Sequence, residues 1–139
     1  VFAEIGTLVE RLGLSEAMTM TRFRDDARGL IPCMDLFVLP SFSEGISMGL
    51  LEAIGAGVPV AVTDVGGNTE VVLKGQTGWV VPSNDQEAMT TAILEAARSP
   101  ARCQTLASAG RRRYGDQFTF ERMVARYRTM YQQLLDDSA

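Results

Sequence analysis

The sequence has no histidine. That removes Ser-His-Asp and Cys-His nucleophiles and every histidine-ligated metal site in one step. Cysteine is scarce: Cys33 and Cys103 stand far apart, in no metal-ligand spacing. They read as small buried residues of a reducing compartment, the cytoplasm. No apolar run reaches membrane-spanning length, and no signal peptide is visible. There is no internal repeat and no low-complexity linker. No long basic stripe is present and the net charge is −4, which argues against nucleic-acid binding. The one dense basic cluster is Arg111, Arg112 and Arg113. With Arg122, Arg126 and Arg128 it forms either a basic patch or, the preferred reading, a solvated helix face. No metal site and no carboxylate pair of glycosidase type is identifiable.

What remains is an ordinary globular composition, 46% hydrophobic and 22% charged over 139 residues, enough for one domain. The chain opens at Val1 in mid-pattern, and we expect it to be a piece of a longer protein. Short apolar runs alternate with helical stretches. Residues 7–14 read as the end of a helix and 17–21 as a short strand. Residues 25–34 read as a helix with acids in its first turn, where they suit the dipole. Leu36 to Leu39 is an apolar run stopped by Pro40, a buried parallel strand. A helix follows over 47–55, ending at Gly55 and Gly57. Strand 59–63, short helix 68–73 and strand 78–81 come next. A long helix then starts at Asn84, with Glu87 completing a capping box. Its inner stripe is Met89, Ile93, Leu94 and Ala97. Helices over 100–114 and 120–135 close the chain, the last with Met123, Tyr127, Met130, Tyr131 and Leu134 on one face. The pattern predicts α/β architecture, a parallel sheet flanked by helices, with ligands at the carboxyl ends of the strands.

The loop from Pro40 to Ile46 follows the clearest strand, so it lies at that edge. Gly45 permits close backbone approach, and the N–H groups of Ile46, Ser47 and Met48 open the next helix. Together they make an anion site by geometry and dipole. Between Gly45 and Val62 only one residue is charged, Glu52. Glu44 stands just before the helix, and Glu52 lies up to about 12 Å further on. A diphosphate at the helix start, with a sugar on one side and a ribose on the other, needs groups spread about this far. From periodicity alone Glu52 is equally a functional carboxylate or a core one satisfied by backbone N–H groups or an arginine. Glu44 alone reads as a solvated loop residue. "GAGVPV" is no dinucleotide loop: it lacks the third glycine, with Val60 in its place, and runs from helix to strand.

"PSFSEGISMGLLEAIGAGVPVAVTDVGGNTEVV" resembles the signature of the retaining glycosyltransferases of family 4, of the GT-B fold. Glu44 and Glu52 match that family's two glutamates separated by seven residues. The pattern that follows matches through Ala56, Gly57, Pro59, Val60, Thr63, Asp64, Gly66, Gly67 and Glu70. "GQTGWVVPSNDQEAMTTAI" and "FTFERMVARYRTMYQQLL" resemble the family's next strand and helix and its terminal helix. The resemblance runs from about Leu8 to the C-terminus. It implies a Rossmann-like domain, the incomplete C-terminal half of a GT-B glycosyltransferase, spanning 1–139. It further implies a nucleotide-sugar donor, such as a UDP-, GDP- or ADP-sugar, as substrate and no separate cofactor. Glu44 is then the catalytic-site residue near the donor sugar. Backbone at Gly45, Ile46, Ser47 and Met48 meets the diphosphate, and Glu52 binds the ribose hydroxyls. Gly66 and Gly67 lie in a tight loop near the cleft or serve as a purely structural turn.

The sequence also departs from the family. Two preceding strands, with an Arg and a Lys that neutralise the diphosphate, and the acceptor domain are absent. Arg22 stands where the family has glycine beside the base, which implies a narrowed or recharged base pocket. Without the preceding strands the sheet has open edges, which favour self-association. The fragment alone is expected to be inactive. Two other readings stand beside this one: a degenerate module that holds a partner without catalysis, and a part of a transferase working at the inner face of a membrane.

Overall fold

The computed structural model describes residues 2–137. Its elements run α1 (Phe2–Arg11), α2 (Ala27–Leu30), a 3-10 turn (Ile31–Cys33), β1 (Phe37–Leu39), α3 (Met48–Ala56), β2 (Val60–Thr63), α4 (Asn68–Val71), β3 (Trp79–Val81), α5 (Gln86–Arg98), α6 (Pro100–Gln117) and α7 (Phe120–Asp136). The three strands form one parallel sheet in the order β1-β2-β3. Phe37 pairs with Val60, and Ala61 pairs with Trp79. The expected α/β architecture, a parallel sheet flanked by helices, is what the chain adopts.

Side chains alternate across the sheet with the strand period of two. Phe37, Leu39, Val60, Val62 and Val80 face a core built with Leu50, Ala53 and Ile54 of α3 and with Val71 and Val72. Leu36, Val38, Ala61, Trp79 and Val81 face the other way, onto Met89, Ala92 and Ala96 of α5 and Leu106 of α6. β2 is buried at all four positions, which is why its sequence is a continuous apolar run rather than an alternating one. β1 is half-buried and, among the described residues, pairs with β2 alone, so its other edge is open.

Several expectations are corrected. Residues 17–21 form no strand; they leave a turn and run on without a ladder partner among the described residues. The helix expected over 25–34 is broken, because Pro32 starts a 3-10 turn after a single α-helical turn. The cap of α5 is Asp85, whose Oδ1 accepts the Ala88 N–H at 2.9 Å. Asn84 sits one residue outside with φ +60, so its side chain does not cap, and Glu87 closes no box with it. The inner face of α5 is Met89, Ala92 and Ala96; Ile93, Leu94 and Ala97 are exposed. Alanines fit there because the sheet beneath presents the bulk of Trp79, whose Nε1 donates to Glu95 Oε2 at 3.0 Å. Met123, Tyr127, Met130, Tyr131 and Leu134 do share a face of α7, but that face is exposed.

The cysteines are not both buried, since Cys33 is exposed and Cys103 partly covered. Burial pushes the Cys103 thiol up, and its Sγ donates to Ala96 O at 3.3 Å. A raised pKa leaves less thiolate at a given pH. Iodoacetamide at pH 8 should therefore alkylate Cys33 first, with Cys103 slower by on the order of tenfold. Peptide mapping by mass spectrometry checks this, and equal rates would contradict the packing of α6 on α5.

Candidate functional site

Because the three strands are parallel, the loops that follow them open at one edge of the sheet. The first loop runs from Pro40 to Ser47. Ser47 caps α3, its Oγ accepting the Leu50 N–H at 3.4 Å. Ser47 O takes the Leu51 N–H at 3.1 Å, and Gly57 closes the helix with φ +79. The N–H groups of Ile46, Ser47 and Met48 have no acceptor among the described residues, as the start of a helix dictates. No acid lies in the first turn of α3, so nothing internal neutralises its positive end. Ile46 and Met48 are exposed and Ser47 is half-buried. The helix start that the sequence offers as an anion site is thus unobstructed at Ile46 and Met48.

Glu44 is half-buried just before this site. Its Oε1 accepts from Ser41 Oγ at 2.7 Å. Ser41 O in turn accepts from the buried Thr63 Oγ1 at 2.7 Å, at the end of β2. Thr63 O accepts from Asn68 Nδ2 at 3.1 Å. Asn68 is fully buried, and its Oδ1 has no partner among the described residues.

The second loop, 64–67, packs backbone to backbone on the first. Gly67 N–H donates to Gly45 O at 2.8 Å. Gly66 takes φ +48, and a Cβ there would overlap the Glu44 carbonyl oxygen. A Cβ on Gly67 would fall 2.5 Å from Gly45 O. Both glycines are therefore required by the close approach of the two loops.

Glu52 faces elsewhere. Its side chain is 29% exposed, and its Oε1 lies 3.5 Å from Nε of Arg28, itself 83% exposed. It borders a groove of about 300 Å³ with Arg28, Ile31, Pro32, Gly55, Ala56 and Tyr114. Glu52 is thus no core carboxylate: it is paired at the surface with an exposed arginine and is accessible from the groove. Glu44 is not among the residues that line this groove. Arg22 lies with its guanidinium 5.6 Å from the centre of the Phe2 ring, against α1.

A family profile described as glycosyl transferases group 1 matches residues 3–99. The chain belongs to the group 1 glycosyltransferases. It is 29% identical over 136 residues to the N-acetyl-alpha-D-glucosaminyl L-malate synthase of Bacillus anthracis, covering 98% of this chain and 36% of that enzyme. Among solved structures it is similar to the sucrose-phosphate synthase of Thermosynechococcus elongatus, with a TM-score of 0.87, 28% identity and coverage of 97% of this chain and 34% of that one. It also shares the fold of Anabaena Alr3699/HepE in complex with UDP-glucose, with a TM-score of 0.83, 22% identity and coverage of 96% and 36%. The chain thus spans about a third of the length of these group 1 enzymes.

Two features of this glycosyltransferase domain escaped sequence reasoning. One is the hydrogen-bond chain from Asn68 through Thr63 and Ser41 to Glu44. Its signal was Thr63, the one hydroxyl in the otherwise apolar strand Val60–Thr63. The other is Arg113, which leaves the basic cluster and turns inward. Its Nη2 and Nε donate to Glu70 O at 2.7 Å and Val71 O at 3.1 Å, capping the end of α4. Arg111 and Arg112 remain exposed, as a solvated face requires. No group of acids and cysteines that could hold a metal occurs among the described residues, and no helix there is long and apolar enough to cross a membrane.

Proposed function

We propose that this chain is the donor-side part of a longer retaining glycosyltransferase and binds a nucleotide sugar at the carboxyl edge of its sheet. One observation carries the reading: an acid-free helix start with unengaged N–H groups, directly beside a held carboxylate, at the edge where parallel sheets take ligands. The N–H groups of Ile46, Ser47 and Met48 meet the donor diphosphate and, with the α3 dipole, stabilise the charge that it gains as it leaves. Glu44 stands beside the donor sugar. Glu52 exchanges its ion pair with exposed Arg28 for the ribose hydroxyls. The Anabaena protein of the same fold holds UDP-glucose, which supports the donor class. The acceptor comes from the part of the enzyme beyond this chain, which works in the cytoplasm or at the inner face of the membrane.

Magnitudes set what the chain can do alone. A helix start contributes about 0.3–2 kcal/mol toward an anion. Millimolar binding needs about 4 kcal/mol. The isolated chain should therefore bind nucleotides too weakly to measure and transfer no sugar. Calorimetric titration of the chain, and of its N-terminally extended parent, with UDP, GDP and ADP tests the reading. Binding by the extended form, weakened about tenfold or more by Glu52→Gln, is the expected outcome. No binding by any folded form would instead favour a degenerate module in which Glu52 only balances Arg28.

A further inference from the structure

We propose that Ser41, Thr63 and Asn68 are positioning residues that aim the Glu44 carboxylate from the second loop of the site. The proposal rests on the reading of Glu44 as the donor-sugar carboxylate. Glu44 sits in the stretch Ser41-Phe42-Ser43-Glu44-Gly45, where Phe42, Ser43 and Gly45 are exposed. A carboxylate free to rotate is a poor electrostatic partner, because part of its effect is spent on being ordered. Here Oε1 is instead held by a short bond from Ser41 Oγ, 2.7 Å. A serine hydroxyl has one proton, so Ser41 committed to Glu44 donates to nothing else.

Ser41 is itself held from below. Thr63 is buried at the end of β2, and its Oγ1 donates its one proton to Ser41 O at 2.7 Å, with Leu39 O a more distant acceptor at 3.4 Å. Asn68 Nδ2 secures Thr63 O, where β2 gives way to the second loop. The Asn68 Oδ1 is buried without a partner among the described residues, a standing cost retained where the Nδ2 bond fixes the strand end. Glu44 O lies against Gly66, and Gly45 O takes the Gly67 N–H. The main chain on both sides of the Glu44 Cα is thus set by residues 63–68, and the side chain is set by Ser41. The central, fully buried strand of the sheet acts as the template for the carboxylate.

Two measurements separate positioning from mere bracing of the loop. In this chain, labelled with ¹³C at the glutamate carboxyls, Ser41→Ala and Thr63→Val should shift the Glu44 resonance, while Ser41→Thr and Thr63→Ser should restore it. An unmoved resonance overturns the hydrogen-bond chain whether or not any ligand binds. In the extended parent, UDP, GDP and ADP are titrated beside UDP-glucose, GDP-mannose and ADP-glucose. Ser41→Ala should weaken the bound nucleotide sugar about tenfold and leave its nucleoside diphosphate within about twofold, with recovery in Ser41→Thr. Equal weakening of both ligands means a brace for the loop and overturns the proposal, as does no weakening of either. If the parent binds no nucleotide or nucleotide sugar at all, the donor-site reading falls, and the carboxyl resonance alone decides whether Ser41 aims Glu44.

Discussion

Replacing Gly66 with alanine should unfold the site and much of the chain's stability margin with it. At φ +48 a side chain costs about 1–2 kcal/mol of backbone strain. The added Cβ also overlaps the Glu44 carbonyl, so one of the two loops must move. Forced packing of this kind costs typically about 1–3 kcal/mol. Together the change should cost about 2–5 kcal/mol in chemical denaturation. Gly75→Ala supplies the control. Gly75 has φ +70, but its Cβ would meet only Arg102 Nη2, at 3.8 Å. It should lose the strain term alone, about 1–2 kcal/mol. Equal losses at the two positions would mean that the loops do not touch as described. If Gly66→Ala nevertheless folds, the shift in the first loop should remove nucleotide-sugar binding by the extended parent.

Leu50→Ala should cost about as much for a different reason. Leu50 is fully buried in the first turn of α3, packed toward β2 and the residues after α4. Truncation of a core leucine costs about 2–5 kcal/mol, since a cavity remains where the helix cannot collapse onto the sheet. A small domain holds only about 5–15 kcal/mol, so a large share is lost. Met48, two residues earlier, is exposed, and its truncation should stay within about 0.5 kcal/mol. Denaturant midpoints of the two variants decide this. Comparable losses would place Met48 rather than Leu50 in the core and reverse the orientation of α3, which would also take its start away from the anion site.

Strands β1 and β3 were legible because each is a short apolar run ended by a proline, Pro40 and Pro82, and β2 because it is a short run with a single polar residue, Thr63. Helix α3 was legible from the apolar run before Gly57, which does close it; Ser47, read as its first residue, is its cap, and Gly55, read as part of its end, lies inside it. What misled was chemistry that depends on one dihedral angle. Asn84 and Asp85 are both good capping residues, and only the φ of +60 at Asn84 hands the role to Asp85. Periodicity found the exposed stripe of α7 but could not say what covers it, because a pattern records which residues are apolar and not what they touch. It chose Ile93 and Leu94 over Ala92 and Ala96, since it favours large side chains where the sheet required small ones. At the site, Glu44 and the helix start were readable from order along the chain. Of the Asn68-to-Glu44 bonds, the middle one joins Thr63 to Ser41 across two loops, 22 positions apart, and no local pattern encodes it.

The strand order has a consequence for how the sheet is made. Each strand lies beside the one before it in sequence, Phe37 against Val60 and then Ala61 against Trp79. No strand must wait for a partner still to come, and each closure spans only one helix and its loops. Each parallel pairing still closes a loop of about twenty residues, so strand pairing is slow beside the formation of the helices. A ribosome releasing the chain from its N-terminus delivers β1, then α3 and β2, then β3, in the order the sheet can accept them. The first loop of the site emerges before the second, so Glu44 acquires its orientation only when Thr63 and Asn68 arrive.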